Sequence, residues 1–276
     1  MSISVLILTL NEERNIEACL DSISWCDDVV VLDSFSADRT ESLASARGAR
    51  VIQREFDNYA AHRNYGLNEI QYKNKWVLML DADERVTTAL ADEMRAAVRD
   101  SSAQVGLFLV RRRDHLFGRW IRRSSGYPTW FGRLARVGHV RVERPINEEY
   151  HTEGAVLSLQ NHLDHFPFNK GFSEWFRKHD RYSTMEAELR LGSRGQRPPA
   201  RDLLNKDPLR RRKAQKAWAY QLPARPVFMF LGLYVIRGGF LEGRAGLTFC
   251  LLRAWYELMI DLKVRELLRR EQGLPI

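Results

Sequence analysis

The sequence predicts an α/β protein: a mostly parallel mixed sheet with helices on both faces, followed by a C-terminal helical appendage. Three observations predict it. Short apolar runs of strand type alternate with segments of helical periodicity through the first hundred residues, the pattern of strand–helix–strand units. Acidic and polar clusters fall at the ends of three of those runs, where open parallel sheets place their ligands. A basic stretch from Arg190 to Lys216 then leads into apolar segments with helical spacing.

The elements follow in order. Ser4–Leu10 is a buried-type strand closed by the turn-like Asn11-Glu12-Glu13, and Ile16, Leu20 and Ile23 recur at helical spacing behind it. Asp28–Leu32 is a second strand. Ser36–Arg47 reads as a helix opening under Asp38 and Thr40, with Arg50–Gln53 as a third strand. Asn58–Asn68 is a helix candidate, and Trp76–Leu80 a fourth apolar strand running into Asp81. The next helix is expected to start near Val86. Gln196-Arg197-Pro198-Pro199 and the two prolines of Leu222–Pro226 mark loops or boundaries. The expected division is a domain over 1–189, with a ligand part over 1–105 and a second substrate part over 106–189, and a basic amphipathic region over 190–276.

Composition narrows the class. Of 276 residues, 45% are hydrophobic, enough for a substantial core. The three cysteines have no metal-ligand spacing, and their scarcity fits a reducing compartment. The opening MSISVLILTLNEE has neither a basic leader nor a small-residue cleavage site, so it reads as a first strand and not a signal peptide. Charge is uneven: residues 1–100 carry 11 Lys/Arg against 18 Asp/Glu, while residues 101–276 carry 32 against 17. An acidic front suits a divalent cation; a basic back suits phosphate, nucleic acid or an anionic membrane. Neither G-x-G-x-x-G nor G-x-x-x-x-G-K-[ST] occurs, so dinucleotide and P-loop readings lose their key signal.

Asp81-Ala82-Asp83-Glu84 follows the fourth strand. Two aspartates separated by one residue at a strand end can project carboxylates around Mg²⁺ or Mn²⁺, which prefer oxygen ligands and share their shell with substrate phosphates. Such a cation would neutralise a diphosphate leaving group. The competing assignment is a solvated acidic turn capping the next helix. Asp33, directly on the second strand end, is read as a ligand contact, whereas Asp38 is read as a helix cap.

Val5-Leu6-Ile7-Leu8-Thr9-Leu10-Asn11-Glu12-Glu13, then Asp33-Ser34 with Asp38 and Thr40, then Arg63-Asn64, then Asp81-Ala82-Asp83-Glu84 together resemble the family 2 glycosyltransferases of the GT-A (Rossmann-like) fold. The resemblance implies inverting transfer from a nucleoside-diphosphate sugar, a UDP-hexose. It makes Thr9, Asn11 and Glu13 part of the nucleoside-contacting first loop, Asp33 the uracil contact and Arg63 a basic residue near the nucleotide. Asp81 becomes the ribose- or diphosphate-side carboxylate and Asp83 the direct metal ligand, with Asp81 and Asp83 the metal-site pair. The family usually has glycine where this chain has Phe35.

A looser resemblance, to bacterial enzymes extending lipopolysaccharide cores and other surface glycans, rests on Gly118-Arg119-Trp120, Tyr127-Pro128, Gly132-Arg133-Leu134, Ile146-Asn147-Glu148 and Gly238-Gly239-Phe240-Leu241-Glu242-Gly243. It implies a glycan or glycolipid acceptor. An inverting displacement needs a carboxylate to take the acceptor proton; Glu148 is the candidate, with Glu149 beside it. Arg133 is a candidate for diphosphate or an anionic acceptor, or else a surface side chain. His162, His165 and His179 lack a compact zinc pattern.

From Arg190 to Lys216 there are ten Lys/Arg and two Asp/Glu. Pro226–Ile236 is apolar, and Leu247, Leu251, Trp255, Leu258 and Leu262 recur at helical spacing opposite Arg253, Glu257, Asp261 and Arg265. No uncharged segment approaches the roughly 20 residues needed to span a bilayer. The expectation is a cytoplasmic protein lying on the inner face of the cytoplasmic membrane, in contact with an anionic surface; a helical cap on the catalytic domain competes. A nucleic-acid-binding protein using the basic half is the alternative function, though its aromatics form no binding motif and the acidic strand ends go unexplained.

Overall fold

The computed structural model describes residues 2–143, 149–192, 199–204 and 224–276. Glu148, with Ile146 and Asn147, and most of the basic stretch, including Arg210, Arg211, Arg212 and Lys213, lie outside the described residues. The chain divides into two compact units, one of residues 1–122 and 126–172, the other of residues 123–125 and 173–276.

The first unit is built on a nine-stranded sheet. Strands β1 (Ser4–Thr9), β2 (Val29–Asp33), β3 (Arg50–Gln53) and β4 (Trp76–Asp81) are parallel, in the order β3-β2-β1-β4. Beyond a three-residue strand β5 (Glu84–Val86) come β6 (Val105–Leu116), β7 (Arg119–Trp120), β8 (Thr129–Arg136), a separate hairpin of β9 (Arg141–Glu143) and β10 (Glu149–His151), and β11 (Ala155–His165). The sheet continues from β4 through β8, β6 and β11 to β5; β8 is antiparallel to both neighbours, β11 is parallel to β6, and β7 turns back on β6.

Helices α1 (Ile16–Ser22), α2 (Thr40–Ala46), α3 (Tyr59–Asn68) and α4 (Thr88–Asp100) connect the early strands. Both faces of the sheet are covered, so the strands read as continuous apolar runs. Val5, Ile7, Leu78 and Leu80 pack with Ile16, Cys19, Leu90 and Met94 on one side. Alternate residues Leu6, Val77 and Met79 pack with Leu67 and Ile70 on the other. Gly66 permits that second contact, because a Cβ there would stand 2.4 Å from Leu6 Cδ2.

Helix α4 begins at Thr88, two residues past the start expected near Val86, and Thr87 Oγ1 caps it by accepting from Leu90 N at 3.2 Å. Glu84–Val86 instead pairs antiparallel with β11, setting His165 opposite Glu84. Alternation decides it: Glu84 and Val86 are buried, Arg85 half-buried, as a strand requires.

The second unit is helical: α5 (Phe172–Gly192), a 3₁₀ turn Ala200–Leu204, α6 (Arg225–Leu231) running on as a π-type turn Gly232–Ile236, a 3₁₀ turn Gly239–Glu242, and α7 (Gly243–Glu271). The expected division after Leu189 falls inside α5. The expected apolar stripe of α7 is real in its spacing but its burial differs. Leu247, Leu251, Leu258 and Leu262 are exposed, whereas Cys250, Leu252, Ile260 and the supposedly outward Glu257 are buried. Glu257 tolerates burial because Arg225 Nη2 meets its carboxylate at 2.9 Å.

Candidate active site at the strand ends

Strand register assembles the site. In the parallel ladder Thr9 lies beside Asp33, and Leu8 beside Asp81, so the expected residues share one end of the sheet. Thr9 Oγ1 donates to Asp33 Oδ1 at 2.7 Å. Ser36 adds its amide to Asp33 Oδ2 at 2.8 Å and its hydroxyl to Oδ1 at 2.5 Å. Asp33 is fully buried, a carboxylate already holding the loop after β2.

That loop and the loop after β1 brace each other. Asn11 Oδ1 accepts from Ala37 N at 2.8 Å, Glu13 N donates to Asp38 Oδ2 at 3.1 Å, and Glu12 N donates to Thr40 Oγ1 at 2.7 Å. Asp38 Oδ1 also accepts from Thr40 N, but Arg39 is the N-cap of α2 and no side chain caps that helix, so Asp38 braces the loop and is not the expected helix cap. Glu13 carries Arg39 on its carboxylate. Asn11 and Phe35 turn the two loops with φ of 54° and 57°. This left-handed geometry is the one glycine enters without cost, which accounts for the family's glycine at position 35.

Asp81 sits between two guanidinium groups. Arg63 Nη2 donates to its Oδ1 at 2.8 Å and Arg133 Nη2 to its Oδ2 at 2.7 Å. Arg133 also reaches Glu84 Oε1 at 2.6 Å, while Glu84 Oε2 accepts from Asp81 N at 3.1 Å. Arg133 is buried and does not lie along the surface. Burial alone would raise Asp81, but Arg133 and Arg63 hold it well below the usual carboxylate range. Glu84 moves the other way: burial raises it, Asp81 adds to the rise, and Arg133 only partly compensates. With both oxygens bound to arginines, Asp81 is an anchor of the site as well as its candidate ligand.

Asp83 points elsewhere. Its Oδ2 lies 3.4 Å from His165 Nε2, and His165 Nδ1 lies 2.6 Å from Asp114 Oδ1. Burial and Arg112 oppose a charge on His165, yet Asp83 and Asp114 outweigh them and raise it to about 9. Glu12 is nearby: burial and then Asp83 raise its pKa, against Lys170, whose Nζ donates to Glu12 Oε1 at 2.9 Å. The Asp81–Glu84 turn is fixed by Arg85, which donates to the carbonyls of Ala82 and Asn15, and by Phe166 N, which donates to Asp83 O at 2.9 Å. Among the described residues no three His, Cys, Asp or Glu side chains converge as a ready-made metal cluster. A divalent cation held by Asp83 would have to displace the proton on His165 Nε2, which faces Asp83 Oδ2 at 3.4 Å, before that imidazole could join it as a ligand.

A separate cleft of about 230 Å³ is lined by His115, Phe117, Phe166, Phe168, Asn169 and Phe172 among others; His115 alternates with Asp114 along β6, so it faces away from the side that carries His165 and Asp83. His115 stacks on Phe166, and Phe117 projects from the β6–β7 turn with φ of 51°. From the sequence, Glu84 enters only as part of the acidic motif and His165 only where a zinc pattern is rejected; Arg112, Asp114, Lys170 and this cleft are not singled out. The one available signal was the end of an apolar-alternating run, Leu157–His165, which becomes the strand beside the acidic turn.

Comparison with known proteins decides the class. The family model described as Glycosyl transferase family 2 matches residues 4–173. The chain belongs to that family. It is a glycosyltransferase, and its sheet unit with the flanking helices is the GT-A fold. The lipopolysaccharide core biosynthesis glycosyltransferase LpsC of Rhizobium meliloti is 27% identical over 92% of this chain and 91% of its own length. An uncharacterized glycosyltransferase of Rickettsia bellii is 32% identical over 41% of this chain and 40% of its own. Among solved structures, glucosyl-3-phosphoglycerate synthase from Mycobacterium tuberculosis, in complex with Mn²⁺, uridine-diphosphate and glucosyl-3-phosphoglycerate, aligns at 28% identity. It covers 41% of this chain and 44% of that one, with a TM-score of 0.34.

Proposed function

We propose that this family 2 glycosyltransferase moves a hexose from a UDP-sugar, with inversion, to a lipopolysaccharide-core, lipid-linked or other surface-glycan acceptor. The observation that carries the donor half is the register that collects Thr9, Asp33 and Asp81 at one sheet end with Asp83 following. Asp33, with Thr9, Asn11 and Glu13 around it, receives the nucleoside. Asp81, Arg63 and Arg133 form the wall on the ribose or diphosphate side; Arg133 acts by holding Asp81 in place.

Asp83 would hold a divalent cation of the Mn²⁺ or Mg²⁺ class, joined by His165 once the cation has displaced its proton, an imidazole that favours Mn²⁺. When bound there it supplies Lewis-acid neutralisation of the departing diphosphate. The acceptor hydroxyl loses its proton to Glu148. Whole-length likeness to LpsC supports the acceptor class. The alternative of a nucleic-acid-binding protein gives way to the family assignment.

Location follows the same reading: cytoplasmic, peripheral on the inner face of the cytoplasmic membrane. Among the described residues no single helix is long and apolar enough to cross a membrane. A thermal-shift panel of nucleotide sugars with and without Mn²⁺ tests the donor assignment. UDP-hexoses should raise the melting temperature only when the cation is present. A shift with no nucleotide sugar under either condition would overturn it. For the base, Glu148→Gln should lower turnover by roughly 10²–10⁴-fold with donor affinity kept; the same loss in Glu149→Gln instead would move the base by one residue.

A further inference from the structure

We propose that the elbow joining α6 to α7 is a wedge that inserts into one leaflet of an anionic bilayer, lying in the interface and not crossing it. The inference rests on the peripheral-membrane reading above and assigns the surface that carries it. Val227, Phe228, Leu231, Val235, Ile236, Phe240 and Leu241 are all exposed, Ile236 at 85% and Leu241 at 61%. Single exposed apolar residues are ordinary; seven large ones within fifteen positions mark a contact surface.

Three backbone amides of the elbow are paired within the chain. The helix breaks at Gly238, whose φ is 74°, yet Arg237 N donates to Gly232 O at 2.9 Å, Gly238 N to Val235 O at 3.1 Å and Leu241 N to Gly238 O at 3.0 Å. Turning the chain while pairing these amides is what an apolar medium demands. Close packing fixes the bend: a Cβ on Gly239 would stand 2.9 Å from Leu233 O and 3.0 Å from Cys250 Sγ, and one on Gly246 only 2.2 Å from Gly239 O. Segments Arg225–Ile236 and Gly239–Glu271 reach the length and apolar composition of a membrane span only together, and they meet at a bend of 69°. So bent, the pair presents its corner to a leaflet.

Charge selects the occupant. Between Arg225 and Tyr256 the only carboxylate is Glu242, and it is turned inward. It accepts from Arg123 N at 2.7 Å, from Ser124 N at 3.1 Å and from Ser124 Oγ at 2.5 Å. Arg237 and Arg244 are exposed beside the apolar residues. An apolar corner flanked by outward cations, with its one anion neutralised, matches acyl chains beneath anionic headgroups.

The test is flotation of the full chain with vesicles of phosphatidylglycerol and phosphatidylethanolamine, and with phosphatidylcholine alone, at low and high salt. The variants are Ile236→Asp/Leu241→Asp and Arg237→Glu/Arg244→Glu, with thermal shift by a UDP-sugar and Mn²⁺ confirming that each still folds. Wild type should float with anionic vesicles and stay partly bound at high salt. The double aspartate variant should lose the salt-resistant fraction at least about tenfold; the double glutamate variant should lose the salt-sensitive fraction. Flotation of the aspartate variant equal to wild type would overturn the elbow while leaving peripheral attachment standing. So would conversion of a wild-type oligomer to monomer with flotation unchanged, which would make the face an interface between copies. Failure of wild type to float at all would remove the membrane reading and the elbow together. A fluorophore on Ile236→Cys should be quenched more by a nitroxide near the headgroups than by one at the bilayer centre; the reverse would mean a span and would overturn interfacial insertion.

Discussion

Arg133 binds two carboxylates at once, Asp81 at 2.7 Å and Glu84 at 2.6 Å; Arg133 and Glu84 are buried, while the Asp81 side chain is 31% exposed. Removing one partner from such a cluster leaves uncompensated charge in a poor solvent, so Arg133→Ala should destabilise the protein by about 3–5 kcal/mol. Arg133→Lys should restore only part of that, because one ammonium cannot reproduce the guanidinium's planar fork; thermal unfolding of both variants checks it. Asp83 faces His165, which keeps Asp114 on its other ring nitrogen when Asp83 is lost. Asp83→Ala should therefore keep the melting temperature within a few degrees while abolishing the cation-dependent shift given by a UDP-sugar; an undiminished Mn²⁺-dependent shift would remove Asp83 from the metal site. Phe35 spends conformational energy on its φ of 57°. Left-handed backbone costs a non-glycine residue roughly 1–2 kcal/mol, partly offset by the entropy glycine loses on folding, so Phe35→Gly should raise stability by up to about 1 kcal/mol. Thr9, Asp33, Asp81 and Asp83 were legible in the sequence because each sits where an apolar run stops. His165 was not legible as a partner of Asp83, since 82 positions separate them in the chain and only the pairing of β11 with β5 brings them together.

The helices show the same division between what periodicity carries and what it omits. The candidate Asn58–Asn68 coincides with α3 to within a residue, and the start expected near Val86 falls two residues before that of α4; Asn58 and Thr87 are the caps that set the true starts. For α7 the spacing gives a stripe but not the surface that covers it. The helix buries its small and mixed side, Ala245, Gly246, Cys250 and Glu257, and leaves a leucine row outside. Hydrophobic period assigns a face to the core only where the core is the sole apolar partner. The glycine-rich segment before α7 was recognisable as a motif without a role. The structure gives it one: Glu242 gathers the Arg123–Ser124 amides and the Ser124 hydroxyl, and tripeptide 123–125 belongs with the helical unit although its neighbours belong with the sheet. Hydrogen bonds to a charged acceptor contribute about 1.5–3 kcal/mol each. Glu242→Ala should therefore cost on the order of 3 kcal/mol, allowing for the carboxylate's own desolvation, and amide exchange at Arg123 and Ser124 should accelerate well before exchange in β1 or β4. Unchanged protection at those two amides would show that the loop is held by something else.

Across the molecule, each unit contains a histidine kept neutral by burial. In the sheet unit, burial and then Arg54 push His62 down to about 4. In the helical unit, His179 lies flat on Trp175 with ring centroids 3.6 Å apart, and its Nδ1 donates to Trp175 O at 2.8 Å. Burial there, with Lys178 and Arg253 adding to it against that hydrogen bond, also lowers it to about 4. An unfolded chain would protonate both near 6.5, so between pH 6.5 and 4 the unfolded state binds more protons than the native one. Stability from these two groups is thus complete above pH 6.5, falls as pH drops through that window, and levels off below about 4, where the native histidines also charge. Two separate units make a single unfolding transition an unsafe assumption, so the loss should be followed with a probe in each. Amide exchange in β1 reports the sheet unit, and Trp175 or Trp255 resonances report the helical one. His179→Gln should flatten the acid slope of the helical unit and leave that of the sheet unit intact. Equal flattening of both would mean the units unfold as one cooperative body, and no flattening would mean that His179 is not the group titrating.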